Sequence, residues 1–274
     1  MTPNRKISNA APSLTIVTGT LLTLGLTFGA VAPVSAQSTG PVSFTSTESA
    51  LTGTYACNGG PAMPIPPVAA STTVGTGSNE VQVSNLTASA CGLPLYDIAS
   101  ANEASSASDT SAQDEGAGTS TVLQMSLLSG VVTYDKKSET DNCTATTTTQ
   151  GEVTVNCTDT TTVQNLYFAG QHITGTFTQP TTFNAVSVSV QIPGYCTGVA
   201  LFTGQLTVAG SSTKTSGNTT EIQMAPVALA GTLTCVGLPL SAMTVSLLDE
   251  NKEGVSPYFD ELGILPVPVV VQVN

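Results

Sequence analysis

The sequence lacks tryptophan, contains a single histidine, and has charged side chains at only 9% of its positions. Serine hydrolases need a histidine base and commonly carry the catalytic serine in a Gly-x-Ser-x-Gly motif. This chain has His172 as its one histidine and lacks that motif. Zinc sites need histidine or cysteine ligands, and the six cysteines are expected to be oxidised. Without tryptophan, few aromatic platforms remain for stacking on sugar rings. These absences favour a non-enzymatic protein over a hydrolase, a zinc enzyme or a glycosidase.

Positive charge is scarce as well. Six Lys and Arg residues stand against 18 Asp and Glu, which gives a formal net charge of −12. Loss of Arg5 and Lys6 with a signal peptide would change this to −14, since 4 Lys would then face the same 18 acids. Such an acidic surface repels phosphate backbones and anionic lipids, so we expect no nucleic-acid partner.

The first 36 residues have the features of a secretory signal peptide. Arg5 and Lys6 supply a basic start, residues 16–31 form an apolar stretch, and Val34-Ser35-Ala36 is a small-residue cleavage site. A retained membrane anchor is the alternative. The later apolar residues 262–273 include two prolines and suit a β-strand better than a spanning helix. We expect an extracellular protein, secreted or loosely attached to the cell surface, with no membrane span after cleavage.

Sequons for N-glycosylation occur four times, at Asn85, Asn142, Asn156 and Asn218. In a eukaryotic secretory pathway these asparagines could carry glycans. In a threonine-rich chain sequons also arise by chance, and the sequence does not decide between the two interpretations.

The composition and the periodicity of the chain indicate β-structure. Thr, Ser, Val, Gly and Ala are in excess, and no stretch after the signal keeps a 3.6-residue apolar period. Runs typical of strands, separated by Gly, Asn, Pro or Ser, cover residues 123–132, 164–168, 174–177, 185–192, 201–208, 221–229 and 243–248. The sequence predicts an all-β protein, either an antiparallel β-sandwich stapled by disulfides or an elongated β-sheet.

The six cysteines predict three disulfides, because their number is even and the chain is exported. They lie at Cys57, Cys91, Cys143, Cys157, Cys196 and Cys235. Thr-rich arms flank Gln150, and folding the chain there places residues 143 and 157 opposite each other. A cross-strand Cys143–Cys157 bond is therefore predicted.

A duplicated sequence motif predicts the other two disulfide bonds. Cys-Gly-Leu-Pro-Leu begins at Cys91, and Cys-Val-Gly-Leu-Pro-Leu begins at Cys235. Each motif follows another cysteine, Cys57 by 34 positions and Cys196 by 39. A repeated structural unit normally repeats its own disulfide. We predict Cys57–Cys91 and Cys196–Cys235, with chance similarity in a biased composition as the alternative.

These bonds suggest a division of the mature chain into two related units. Residues 37–98 would form a first β unit, and residues 121–274 the main β region. Residues 99–120, rich in Ser, Ala and Gly with interspersed acids, are interpreted as an acidic linker or loop, with an exposed edge strand as the alternative.

A calcium loop is the one metal site with support from spacing. Oxygen donors occur at positions 1, 3, 5 and 12 of a loop that begins at Asp249 and has Gly254 at position 6. The candidate ligands are Asp249, Asn251, Glu253 and Asp260. A solvated acidic connection is the alternative, since no helical period flanks the loop.

A second acidic patch surrounds Lys136 and Lys137. Asp135, Glu139 and Asp141 are interpreted as the charged tip of a hairpin. Paired carboxylates about 5 to 9.5 Å apart could also serve a glycosidase, which leaves an unrecognised secreted hydrolase as a further alternative.

The middle third of the chain resembles the secreted bacterial choice-of-anchor surface proteins. The likeness rests on Leu127-Leu128-Ser129-Gly130-Val131-Val132-Thr133, on a Thr-rich hairpin, and on Asn165-Leu166-Tyr167-Phe168-Ala169-Gly170. It covers about 60 residues and implies an extracellular β-rich protein, without transferable catalytic residues.

The function expected from the sequence is that of a secreted or cell-surface structural or interaction protein without enzymatic activity. It could self-associate through β-strand edges, including the apolar C-terminal run, or bind a surface partner. The alternative is an extracellular ligand- or glycan-binding module. There the proline-rich residues 61–67 would form either a stiff binding ridge or a rigid connector.

Overall fold

The described part of the chain consists of β-strands joined by turns. In the computed structural model it comprises residues 42–109, 114–147, 153–192, 199–216, 219–236, 241–257 and 269–273. The strands are β1 (Val42–Cys57), β2 (Met63–Val68), β3 (Ser71–Val74), β4 (Gly77–Ala90), β5 (Leu93–Asp109), β6 (Asp114–Leu127), β7 (Val132–Thr147), β8 (Val153–Phe168), β9 (Gln171–Phe177), β10 (Thr181–Val190), β11 (Val199–Ser216), β12 (Thr219–Val236), β13 (Ser241–Pro257) and β14 (Val269–Val273). These ranges contain no helix with the length and apolarity needed to cross a membrane.

The strands form two sheets of seven that pack as a sandwich. The first sheet has the order β10-β11-β12-β13-β1-β2, and β3 also pairs with β1. The second has the order β14-β8-β7-β6-β5-β4, and β9 also pairs with β8. Every pairing is antiparallel except that of β14 with β8. The predicted all-β antiparallel sandwich is confirmed.

The sandwich interior changes character along the strands. Strand β7 begins with Val132 and Tyr134 in a large apolar cluster, and it ends with Cys143 and Ala145 in a smaller one. Between these clusters its inward-facing residues are ionisable. Strand β1 repeats the order in reverse, from the apolar Phe44 through polar residues to apolar ones. A charged layer therefore lies between two apolar ones.

Two predicted disulfides are confirmed. Cys143 and Cys157 lie opposite each other in the β7–β8 ladder with a Cα–Cα distance of 4.1 Å, and both are fully buried in the smaller apolar cluster. Cys57 at the end of β1 is bonded to Cys91 in the β4–β5 turn, so this bond joins the two sheets. In the third predicted pair, Cys196 lies outside the described residues, as does the whole signal segment 1–36. Its predicted partner, Cys235, is disulfide-bonded, and the pairing of these two cysteines stays a prediction.

The prediction of a linker or loop over residues 99–120 was wrong. Its described residues belong to β5 and β6, which are neighbours inside the second sheet. Alternate side chains such as Glu103, Ser105 and Asp114 point into the sandwich. The segment is poor in apolar residues because it lines the charged layer, so its low hydrophobicity does not reflect exposure to solvent.

The strand pairing also does not follow the predicted division into two units. Strand β1, from the proposed first unit, pairs along its length with β13 from the main region. The described strands all belong to one compact unit. The duplicated motif instead marks the end of the first strand in two antiparallel strand pairs, β4–β5 and β12–β13. Cys91 follows β4, and Cys235 lies at the end of β12.

The structure also shows how the proline-rich segment 61–67 and the strand-like run 123–132 fold. The proline-rich residues 61–67 contribute most of β2, an outer strand of the first sheet, where the missing proline N–H groups interrupt no central ladder. The run 123–132 is broken by a turn at Leu128 and Ser129, both with positive φ. The predicted C-terminal strand is confirmed over Val269–Val273, while residues 258–268 lie outside the described ranges.

Candidate functional site

The charged layer holds nine buried carboxylic acids and one buried lysine among the described residues. The lysine is Lys137, and the acids are Glu48, Glu103, Asp114, Glu139, Asp141, Asp159, Asp249, Glu250 and Glu253. Burial of an ionised carboxylate is costly unless a positive charge or hydrogen-bond donors compensate it. Glu250 has a separate ion pair with the partly exposed Lys252 at 2.9 Å, so among the described residues one buried lysine is left for the other eight acids. This imbalance of charge makes the layer a candidate functional site.

Strand alternation places these side chains. On β7, Lys137, Glu139 and Asp141 point inward, while the intervening Ser138 and Thr140 are more exposed. Successive side chains of a strand point to opposite faces, so this spacing delivers three ionisable groups to the interior. The facing sheet supplies Glu48 from β1 and acids from β13.

Hydrogen bonds join the two sheets at this level. The Ser46 hydroxyl on β1 donates to the carbonyl oxygen of Ala117 on β6 at 3.1 Å. The Val42 N–H on β1 donates to Oδ2 of Asp114 on β6 at 3.0 Å. The layer is thus a polar contact between sheets, with its own donors and acceptors.

Lys137 is the central positive charge. Its ammonium forms an ion pair with Asp249, lies 3.7 Å from Oε2 of Glu139, and donates to the Ser120 hydroxyl at 2.6 Å. Burial alone would lower the pKa of Lys137, but the neighbouring carboxylates, Asp249 first, raise it above its usual value. Lys137 therefore stays charged.

Glu48, Glu139 and Asp141 form the tightest group of carboxylates. One oxygen of each lies within 4.8 Å of those of the other two, and all three side chains are buried. Neither oxygen of Glu48 has a hydrogen-bond partner among the described residues. Burial, reinforced by the charges of Asp141 and Glu139, raises the pKa of Glu48 far above its usual value. Three buried carboxylates therefore converge here, and the described residues offer no hydrogen-bond donor to Glu48.

Two glycines on β6 make room for the carboxylates. A Cβ on Gly118 would overlap Oε1 of Glu48 and Oδ1 of Asp141. A Cβ on Gly116 would overlap the carboxylate of Glu253 and lie 2.7 Å from the Phe44 ring. Side chains from the facing sheet therefore reach over these glycines to the backbone of β6.

Other acids in the layer share the effect of burial. Burial raises the pKa of Glu103 to about 8, against a lowering by Lys137. It raises the pKa of Asp159 to about 6 and that of Glu253 to about 9. Without further positive charge, the layer favours protonated carboxyl groups.

The predicted calcium loop does not form as a loop. Asp249, Asn251 and Glu253 lie in strand β13, between β1 and β12, and Asp260 lies outside the described residues. Asp249 pairs with Lys137, and Glu253 is buried. The predicted ligands Asp249 and Glu253 do belong to the charged layer, but they lie in a strand and not in a calcium-binding loop.

The prediction of a charged hairpin tip around Lys136 and Lys137 was also wrong. Lys137, Glu139 and Asp141 are interior residues of β7 and do not form a hairpin tip, whereas Asp135 is exposed. The alternation Lys-Ser-Glu-Thr-Asp over 137–141 was the available signal, because it is a strand period with charges on one face. Glu48 and Glu103 carried no local signal, since they join the group only through sheet packing.

A second candidate feature is the outer edge of β8. Strand β14 covers Val153–Cys157 of this edge in parallel register, and β9 covers Thr161–Phe168 in antiparallel register. The five-residue β14 ladder is the one parallel pairing in the described ranges. It follows residues 258–268, which come after the last strand of the other sheet.

A third feature is an exposed groove of about 450 Å³ across β5, β6, β7 and β8. Tyr167 is 45% exposed there, and its ring stacks on that of His172 with centroids 4.7 Å apart. Asn165 donates to Asp135 at 2.7 Å beside it. His172 is itself exposed, and together with Tyr167 it forms a pair of stacked rings at the surface.

Comparisons with known proteins add no assignment to this geometry. No family model matches the sequence, and no curated protein shows significant similarity to it.

Proposed function

We propose that this protein is an extracellular structural or interaction protein that associates with other copies of itself by strand exchange at the β8 edge. In this assembly β14 of one chain pairs with Val153–Cys157 of another. The observation that supports it is the parallel β14 ladder at the end of an otherwise antiparallel sandwich. Disulfides are consistent with an oxidising extracellular location.

The β8 edge is suited to accept a strand. With β14 withdrawn, backbone N–H and C=O groups of Val153–Cys157 would lose their partners on that side, and such an edge is a template for another chain. The same register is available to any copy of β14, because exchanged elements are identical in sequence.

The connection before β14 is long enough for exchange. Eleven residues separate Pro257 from Val269, and a segment of this length reaches about 36 Å when fully extended. That reach allows β14 to meet either its own β8 or that of a neighbouring molecule.

Other outer strands carry features that oppose strand addition. Strand β2 contains three prolines, which remove N–H donors. Strand β4 has an irregularity in its ladder at Ala88 and Ser89, and β10 has one between Ala185 and Val188. Such bulges twist an edge away from regular pairing. Association is thereby directed to β8.

Truncation after Gly263 tests this proposal. The full-length mature chain should form concentration-dependent oligomers in size-exclusion chromatography with light scattering, and the truncated chain should not. A synthetic peptide of residues 264–274 should bind the truncated chain, while the same peptide with Val271→Pro should bind far more weakly, because proline lacks the ladder N–H. A full-length chain that stays monomeric, together with a truncated chain that binds neither peptide, would contradict strand exchange.

Ligand binding at the Tyr167 groove is a second candidate function. An exposed tyrosine beside Asn165, Asp135 and Asp97 combines a stacking face with hydrogen-bonding groups, as polar ligands such as glycans require. Binding to a glycan array should be lost with Tyr167→Ala and retained with Val186→Ala, which removes an exposed side chain from the other sheet. An array without any bound glycan would remove this candidate.

A further inference from the structure

We propose that Glu48, Glu139 and Asp141 bind one calcium ion between the two sheets. The site is independent of strand exchange, because its residues lie on β1 and β7 inside the sandwich and not on the β8 edge. It also differs from the loop expected from sequence spacing, since none of its three ligands lies in β13.

The oxygen positions suit a calcium ion. One oxygen from each of the three carboxylates lies within 4.8 Å of the other two. Calcium binds oxygen at about 2.3 to 2.6 Å, so two ligands of the same ion are at most about 5 Å apart. The three oxygens can therefore contact one ion without large movements of the strands.

Glu48 requires a partner that the described residues do not supply. Its side chain is fully buried, and both of its oxygens lack a hydrogen-bond donor among the described residues. An uncompensated buried carboxylate is one of the most costly groups in a protein interior. A cation between Glu48 and the two β7 carboxylates would remove that cost.

Lys137 does not take this role. Its ammonium is engaged by Asp249 and Ser120 and approaches Glu139 at 3.7 Å. No ion pair joins it to Glu48. The positive charge from β7 is thus directed to β13, which leaves the β1 carboxylate for a second cation.

The absence of a side chain at Gly118 provides the space for two of the proposed ligands. Glu48 and Asp141 both reach the position that a Cβ at residue 118 would occupy. Glycine therefore allows carboxylates from opposite sheets to converge over the β6 backbone. A residue with any side chain would displace at least one of the two ligands.

The ligand chemistry favours calcium over magnesium. All three side chains are carboxylates on rigid strands, and calcium accepts irregular all-protein oxygen sites. Magnesium requires near-octahedral geometry and usually keeps several waters, which a closed layer between two sheets accommodates poorly.

Calcium titration of the chelator-stripped full-length protein tests the site. We expect binding of one calcium ion per chain by calorimetry and a higher melting temperature in CaCl₂ than in EDTA. MgCl₂ should give a smaller rise. Unchanged melting temperature and no bound calcium, measured also by elemental analysis of the protein before stripping, would overturn the proposal.

Two matched variants locate the ion. Glu48→Gln keeps the shape of the protonated acid and should fold, but it should weaken calcium binding by at least about tenfold, since even indirect ligand partners contribute that much. Glu103→Gln neutralises another buried acid of the same layer and should retain binding. If Glu48→Gln binds calcium as tightly as the wild type, the ion is not at this site and the proposal is wrong. If the stripped protein unfolds, recovery of its near-ultraviolet circular dichroism by CaCl₂ gives the same comparison.

Discussion

Lys137 on β7 and Asp249 on β13 form an ion pair that joins the two sheets through the interior of the sandwich. Both side chains are almost completely inaccessible to solvent. This pair organises the charged layer, because it fixes the position of Lys137, the one fully buried lysine among the described residues, and so decides which carboxylates lie next to its charge.

Removal of the Lys137 charge should destabilise the fold strongly. Lys137→Met keeps the length and apolar character of the side chain but leaves Asp249 and Glu139 without their counter-charge. Loss of one partner of a buried ion pair typically costs about 3 to 5 kcal/mol. Urea unfolding should show this loss, whereas the neighbouring Lys136→Met, with its side chain on the opposite face, should stay within about 0.5 kcal/mol of the wild type. Equal stability of both variants would contradict the central role of Lys137.

The glycine at residue 118 should not tolerate alanine. In Gly118→Ala the added methyl group would overlap Glu48 and Asp141, and overpacking typically costs about 1 to 3 kcal/mol. Thermal unfolding should show the loss, and calcium binding should weaken with it. Gly210→Ala is the matched control, because its Cβ would meet its nearest neighbour at an ordinary 3.4 Å. A neutral Gly118→Ala variant would mean that the carboxylates do not reach over β6.

The stability of the protein should depend on pH through Glu103. Burial raises the pKa of this acid to about 8 from a value of 4.5. Because the folded chain holds the proton more tightly than the unfolded chain, this contribution is fully present below pH 4.5 and is lost as the pH rises through 8. In EDTA, Glu103→Gln should be near neutral at about pH 4 and more stable than the wild type at about pH 9.

Urea unfolding at a series of pH values measures this effect. The control is Glu80→Gln on the outer strand β4, where the side chain is exposed. This variant should leave the pH dependence of the unfolding free energy as it is in the wild type. A Glu103→Gln profile parallel to that of the wild type would contradict the assignment.

Loss of the half-buried bond between Cys57 and Cys91 should destabilise the fold. The bond closes a loop with a sequence separation of 34 and joins the two sheets, and the chain-entropy model gives about 3 to 4 kcal/mol for such a loop. A Cys57→Ser/Cys91→Ser double variant should show this loss in urea. Non-reducing peptide mapping should recover the Cys143–Cys157 bond in the same variant, together with the predicted Cys196–Cys235 bond. A free Cys196 thiol would contradict the third pair.

The sequence by itself determined the strand-built character of the protein and the register of its central hairpin. Threonine and valine in alternation, frequent turn residues and the absence of a helical period are local properties of the chain, so they are readable without the fold. The Cys143–Cys157 bond was readable for the same reason, because a hairpin centred on Gln150 pairs residues equidistant from it. The Cys57–Cys91 bond was found from internal repetition, although the two-unit division drawn from the same repeat was not followed by the strands.

Only the tertiary structure decided which polar residues are buried. Glu48 and Glu139 are 91 positions apart in the chain and become neighbours because β1 and β7 lie in facing sheets. Asp249 looked like a loop ligand, and residues 99–120 looked like a solvated linker, since local hydrophilicity normally indicates exposure. Here two apolar clusters enclose a charged layer, and burial depends on the packing of distant strands. Sequence periodicity can show which face of a strand a residue occupies, but only the facing sheet determines whether that face meets water, a carboxylate or a cation.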